Sequence, residues 1–322
     1  MHDFTLLVLP GAFASSVAAS IDMLRAAQSV APRLKVAAPR WRVVSPQAGD
    51  VTLGNGMRVQ AGALPRRADG SLWIVPGLGT ESPKAIAARL AQDDAQLAVQ
   101  ALRRQLVAGG TVAAGCSAVF LLQLTGALAG RRVTTSWWLA PELQRREPEC
   151  VLAAHRMVCA DGPVITAGAA LAQTDLMLHL LQARCGAALA DLVRRLLLID
   201  ARQAQAPFAV PSLMASGDAL VAQLTQRIES ALPHPPSVTA LAGELAMSER
   251  TLARRVRAAT GLSPLALVQG VRLHRARALI ETTRMNIDQV AAEVGYSDAT
   301  ALRRLMRKLG GANPSRFRAR VG

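Results

Sequence analysis

The sequence predicts two domains of different class. Residues 1–200 read as an α/β domain with a mostly parallel sheet sandwiched by helices, and residues 219–322 as an all-α domain of two helix-turn-helix units. Three observations carry this. Short apolar runs alternate with helical stripes through the first 200 residues, the pattern of a parallel sheet covered on both faces. One pattern occurs twice near the carboxyl end, as SVTALAGELAMSERTLARRVRAATG from Ser237 and as NIDQVAAEVGYSDATALRRLMRKLGG from Asn286. Between the two regions, residues 201–218 (ARQAQAPFAVPSLMASGD) hold two prolines and no helical stripe, and read as a linker.

Taken in order, Phe4–Leu9 reads as an apolar strand, followed by Pro10-Gly11 and a helix to about Ala27. Trp41–Ser45, Met57–Gln60 and Ser71–Val75 read as strands, the last ending in Pro76-Gly77-Leu78-Gly79. A long helix is expected from Asp93 to Ala108, stopped by Gly109-Gly110. Thr111–Ala114 is the next strand, with a helix beginning just after Cys116. Val164–Ala167 is another, with a helix to about Ala183. The layering is flavodoxin-like, and its ligand crevice is expected at the carboxyl ends of the strands. The Gly77–Thr80 loop lacks the GxxxxGK[ST] spacing of a phosphate loop.

In the second domain a helix is expected from Asp218 to Leu232, ahead of Pro233-His234-Pro235-Pro236. Val238, Leu241, Ala242 and Leu245 then match Ile287, Val290, Ala291 and Val294 at an offset of 49. The spacing i, i+3, i+4, i+7 marks one buried helical face. After the turn, Leu252, Arg254 and Val256 match Leu302, Arg304 and Met306 at an offset of 50, so the second turn is one residue longer. Ser248 and Ser297/Asp298 are expected to cap the helices that follow. The two units span about 237–260 and 286–310. Ser263–Thr282 is expected to be one connecting helix with Leu265, Val268, Leu273, Ala276 and Ile280 on its apolar faces and Pro264 in its first turn. Such paired helices place a recognition helix in the DNA major groove. Arg250, Thr251 and Arg254 fall on the side of the first recognition helix opposite Leu252 and Val256, and Thr300, Arg303 and Arg304 on the equivalent side of the second. Arginine presents a fork of donors that suits guanine or a phosphate, and Arg257 and Arg307 are expected to touch phosphate.

At 322 residues, 51% hydrophobic and 18% charged, the chain can bury two cores. Its net charge of +15 is uneven: 15 Lys and Arg against 6 Asp and Glu from Ser237 onward, but 22 against 16 in the other 236 residues. With only three lysines, Arg-rich codon usage accounts for the choice of arginine but not for its clustering, which attracts nucleic acid. No basic segment precedes the short apolar run Leu6–Leu9 and no 18-residue apolar stretch exists, so neither a secretion signal nor a membrane span is expected. Cys116, Cys150, Cys159 and Cys185 lack metal-ligand spacing. The expectation is a cytoplasmic protein with reduced thiols, no metal and no cofactor.

Over roughly 220–320 the chain resembles the AraC/XylS family of transcription regulators. The residues that carry the likeness are Ile287–Ala291, Val294-Gly295-Tyr296-Ser297-Asp298, Leu302, Arg304, Met306 and Asn313-Pro314-Ser315-Arg316-Phe317-Arg318. Aliphatics replace the family's usual aromatics at Leu302 and Met306. The resemblance puts base contacts at Arg250, Arg254, Thr300 and Arg304. The first domain resembles the PfpI-like branch of the type 1 glutamine-amidotransferase fold, through LLVLPGAF, LWIVPGLG at 72–79, the segment 110–143, and Ile165–Gly168 before Asp175. Together the two halves look like a GlxA-type AraC regulator.

In enzymes of that fold a cysteine sits on a sharp strand-to-helix turn, the place of Cys116 here, and a helix N-terminus shifts such a thiol toward thiolate. The enzymes add an acid from the first loop or a histidine after the elbow. Those positions are Ser16 and Ser136 in this chain, so no catalytic dyad is expected. His179 is expected as a core or interface histidine. The resemblance implies double-stranded promoter DNA, a small-molecule effector and a second copy of the chain as partners. Ser16, Cys116, Ser117, Ser136 and Trp137 are the expected pocket lining, with Trp137 and Trp138 equally compatible with core packing. Two other readings stay open here: a cysteine hydrolase or amidase tethered to DNA, and a DNA-binding dimer that needs no ligand.

Overall fold

The structure, a computed structural model, describes residues 2–80, 82–199, 219–260 and 262–310, with side chains to 307. The chain divides into two units, Met1–Gln203 and Ala204–Gly322. The expected linker at 201–218 and the Asn313–Arg318 segment lie outside the described residues.

The first unit runs β1 (Phe4–Leu7), α1 (Ala14–Val30), β2 (Trp41–Ser45), β3 (Gly49–Thr52), β4 (Arg58–Ala63), β5 (Leu72–Val75), α2 (Pro83–Leu90), α3 (Asp93–Val107) and β6 (Val112–Gly115). It continues through α4 (Val119–Thr125), β7 (Arg132–Val133), α5 (Ala140–Arg146), β8 (Val151–Leu152), β9 (Val158–Asp161), β10 (Val164–Ala167), α6 (Gln173–Cys185) and α7 (Ala187–Leu196). Eight strands pair in the order β3-β4-β2-β1-β5-β6-β10-β9. The six inner strands are parallel, and β3 and β9 close the two edges antiparallel.

Side chains alternate across the pleat, so each strand feeds two cores. Phe4, Leu6, Ile74, Ala113 and Ile165 join the core under α1, α6 and α7. Leu7, Trp73, Val75, Val112 and Ala114 join the core under α2, α3 and α4. Strands buried on both faces read as unbroken apolar runs, which is how β1, β5, β6 and β10 announce themselves. The strand expected at Met57–Gln60 is Arg58–Ala63. Also present are β3, β9, the short β7–β8 pair and α2, α5 and α7. These lie at edges or on the surface, where few residues are buried and the apolar pattern is thin.

The second unit holds α8 (Ala219–Ser230), α9 (Val238–Glu244), α10 (Glu249–Thr260), α11 (Pro264–Thr282), α12 (Ile287–Glu293) and α13 (Ala299–Gly310). The bounds of α9 recur in α12 at an offset of 49, and those of α10 in α13 at an offset of 50. α11 serves two cores. Its Leu267, Val268 and Val271 pack with α8, α9 and α10. Its Leu273, Ala276, Leu279 and Ile280 pack with α12 and α13. Leu265 is not among them: it is 57% exposed, because it stands about 200° round the helix from Leu267.

Candidate nucleic-acid interface and cysteine elbow

Each recognition helix is launched by a polar cap. The Ser248 hydroxyl accepts the Thr251 amide at 3.2 Å ahead of α10, and the Asp298 carboxylate accepts the Ala301 amide at 2.9 Å ahead of α13. The Ala301 amide, followed by bonds from Thr300, holds the Asp298 carboxyl below the ordinary aspartate value. The helices before the turns are capped likewise. Ser237 accepts the Ala240 amide, and Asn286 and Gln289 form a reciprocal capping box.

Both turns pass through the left-handed region at matching positions, Ala246 with φ 51° and Gly295 with φ 80°. The extra residue of the second turn follows Gly295 and brings in Tyr296. The Arg272 guanidinium of α11 lies over the Tyr296 ring, 3.5 Å from its centroid. It also donates through Nε to the Val294 carbonyl at 2.7 Å and through a terminal nitrogen to the Gly295 carbonyl.

Leu252 and Val256 hold α10 in one core, and Leu302, Leu305 and Met306 hold α13 in the other. The opposite sides carry the arginines. Arg250, Arg254 and Arg257 are exposed on α10 at i, i+4 and i+7, with Thr251 half-buried beside them. Thr300, Arg303, Arg304 and Arg307 are exposed on α13 at i, i+3, i+4 and i+7. None of these six arginines has an acidic partner among the described residues. Away from these faces, Arg227 pairs with Glu244 at 2.8 Å and Arg277 with Glu281 at 2.5 Å, while Arg255, Arg272, Arg275 and Arg284 have no acidic partner among the described residues either. A guanidinium without a carboxylate beside it keeps its donors for phosphate or a base edge. An open groove of about 510 Å³ runs along Arg250, Thr251, Ala253, Arg254 and Arg257.

In the first unit β6 ends at Gly115, and Cys116 follows with φ 54°, opening a single 3-10 turn before α4. A non-glycine residue held left-handed at a strand end makes a sharp elbow. The elbow needs bare neighbours. A Cβ on Gly115 would stand 2.7 Å from Gln173 Oε1, and one on Gly77 would stand 3.1 Å from Cys116 Cβ.

Hydroxyls surround the elbow. Ser136 donates to Cys116 Sγ at 3.0 Å, and Thr135 donates to the Cys116 carbonyl at 2.8 Å. Ser117 Oγ accepts the Leu78 amide at 3.0 Å and so ties the elbow to the loop after β5. Cys116 is 7% exposed, and Ser117 and Ser136 are fully buried.

Cys116, Ser117 and Ser136 therefore come together. Ser16 is fully buried too, but its hydroxyl donates to the Ala170 carbonyl at 2.9 Å, bracing the turn after β10. Trp137 is buried edge-to-face against Trp138, with ring centroids 5.2 Å apart. Thr135 and Gln173 belong to the elbow and were not singled out from sequence. Gln173 donates to Ser20 Oγ at 2.9 Å, and Ser20 to the Ser16 carbonyl at 2.8 Å, so hydrogen bonds join α6 to α1 where Gln173 stands beside Gly115 of the elbow. The signal for Thr135 was its place in the hydroxyl run Thr134–Ser136. His179 is half-buried on α6, and burial holds its pKa below the ordinary histidine value. Burial and Glu147 push the Cys150 thiol up to about 11. No group of three or more His, Cys, Asp or Glu among the described residues is placed to hold a metal ion. No described helix is long and apolar enough to cross a membrane.

The helix-turn-helix domain family matches residues 241–320, and the DJ-1/PfpI family matches residues 28–183. The chain is 29% identical over 322 residues to the HTH-type transcriptional regulator CdhR of Pseudomonas aeruginosa, spanning 99% of this chain and 92% of that protein. It is 27% identical over 316 residues to the HTH-type transcriptional regulator GlxA of Rhizobium meliloti, spanning 95% and 92%. The crystal structure of an AraC family transcriptional regulator from Pseudomonas putida shares the fold, with TM-score 0.51 and 18% identity over 61% of this chain and 100% of that one. Matched half by half and along nearly its whole length, the chain belongs to the HTH-type transcriptional regulators that join a DJ-1/PfpI domain to an AraC-type helix-turn-helix domain.

Proposed function

We propose that the chain is a cytoplasmic, sequence-specific regulator that grips promoter DNA with residues 219–322 and binds a small polar effector in residues 1–200. The same first domain joins two copies, and 201–218 links the halves. The observation that supports this most is the pair of equivalent helix faces whose arginines have no acidic partner among the described residues. On this reading Arg250, Arg254, Thr300 and Arg304 meet base edges, with Thr251 and Arg303 beside them, and Arg257 and Arg307 meet phosphate. The two units enter successive major-groove segments about one helical turn apart on one DNA face. Selection from a random duplex pool with the full chain tests it: a recurrent sequence is expected, and recovery of no preferred sequence overturns it.

The elbow is read as a binding site, not a hydrolytic one. A serine hydroxyl stands on the thiol where the resembling enzymes place a base, and it donates to sulfur instead of taking a proton. Effector binding then biases two arrangements of the DNA-binding units, which requires different affinities for the two. A metabolite screen that raises the melting temperature, with no turnover, supports sensing. Turnover abolished by Cys116→Ala establishes the hydrolase instead.

A further inference from the structure

Arg272 occupies the one point of α11 where the two cores meet. Val271 before it packs into the core of α9 and α10, and Leu273 after it packs into the core of α12 and α13. Its side chain is half-buried. It turns to the carbonyls of Val294 and Gly295, which end α12, and lies over Tyr296. Two residues later Asp298 caps α13. A planar fork that bridges two carbonyls and stacks on a ring fixes position and rotation together, which a single charge on a flexible stem does not. A cation is also favoured at the negative end of α12. From the other side the turn is pressed by the segment before α9, because a Cβ on Gly295 would overlap the Pro233 carbonyl oxygen. Among the described residues the first turn has no guanidinium on its Leu245 and Ala246 carbonyls: Ala246 is followed by Met247, whose Sδ accepts from Arg255 of α10 at 3.7 Å.

We propose that Arg272 is a positioning residue that sets the phase of the second recognition helix against the first, and so dictates the spacing between the two DNA segments the chain reads. The proposal rests on the DNA-binding reading and adds a geometric requirement to it. Each base pair inserted between the segments moves the second by about 3.4 Å and rotates it by roughly a tenth of a turn. A rigidly phased pair of helices cannot follow that step, whereas a loosened second turn can.

The test uses the full chain, the selected duplex, and versions with one base pair added or removed between the two contacted segments. Wild type is expected to lose roughly tenfold or more in affinity at either altered spacing, the loss of about one base contact or more. In Arg272→Ala and Arg272→Lys that penalty is expected to fall to about threefold or less, because the second helix keeps its base-reading side chains but not its phase. Tyr296→Phe, which keeps the ring, should behave as wild type. Circular dichroism shows which variants fold. If Arg272→Ala does not, Arg272→Lys and Tyr296→Leu decide.

An unchanged spacing penalty in a folded variant overturns the proposal. So does an equal loss at every spacing, which is the mark of a merely structural residue, and so does a wild type indifferent to spacing. A wild type that selects no sequence at all is a different failure, that of the functional reading.

Discussion

The matched left-handed residues of the two turns give a paired prediction of opposite sign. Gly295→Ala puts a side chain where φ is 80° and where the new Cβ overlaps the Pro233 carbonyl oxygen. The left-handed conformation alone costs about 1–2 kcal/mol for an L-residue. The overlap is with backbone, so relief requires moving the segment before α9, at a further cost of about 1–3 kcal/mol. The smaller freedom of alanine in the unfolded chain offsets about 0.5–1 kcal/mol, and the net loss, roughly 1.5–4 kcal/mol, lowers the melting temperature of a domain of this size by roughly 6–30 °C. Ala246→Gly removes the same conformational cost from the first turn, where φ is 51°. It adds back the greater freedom of glycine in the unfolded chain, about 0.5–1 kcal/mol, leaving a gain of about 0.5–1 kcal/mol. Thermal unfolding of the full chain by circular dichroism reads both, with the transition of the helical unit assigned by its rise on adding bound duplex. A Gly295→Ala protein that melts with wild type, or an Ala246→Gly protein that melts below it, refutes the argument from turn geometry.

Other outcomes follow from the arginine faces and from the buried thiol. Arg254→Ala or Arg304→Ala should weaken binding to the selected duplex by roughly 1–3 kcal/mol and relax preference at one position, whereas Arg257→Ala or Arg307→Ala should weaken all duplexes alike and lower the salt slope by about 1. Gel-shift titrations read both, and Arg227→Ala, whose guanidinium is held by Glu244, should leave sequence preference intact. Cys150 is neutral in the fold up to about pH 11, while an unfolded thiol ionises near 9. Its contribution to stability is thus complete below pH 9 and lost as pH rises toward 11. The first unit should melt progressively lower over that window, less steeply in Cys150→Ala. Equal slopes in the two proteins would falsify that assignment.

The inner strands and both recognition helices were legible because burial imposes a period on them. β1, β5, β6 and β10 are buried on both faces and show as apolar runs, and the 49- and 50-residue offsets recur as the helix bounds. β3 was not legible: its Gly-Asp-Val-Thr run buries only Val51, so no pattern forms. α7 buries three residues and follows α6 after one glycine, which hides the break between them. At the elbow, the residues around Cys116 could be named from resemblance, but not the direction of their hydrogen bonds. Ser136 and Ser16 look alike in sequence, yet one hydroxyl faces the sulfur and the other is spent on Ala170. Arg272 was hidden for a related reason. An arginine in an Arg-rich helix looks like solvated charge until the fold brings the end of α12 beneath it.

A helix whose first half is structural timber for one DNA-reading head and whose second half is timber for the other makes failure contagious. Removing the first head would expose Leu267 and Val271, and removing the second Leu273 and Ile280, on the one helix that the remaining head stands on. Damage that begins in one turn is therefore expected to spread through α11 to the other.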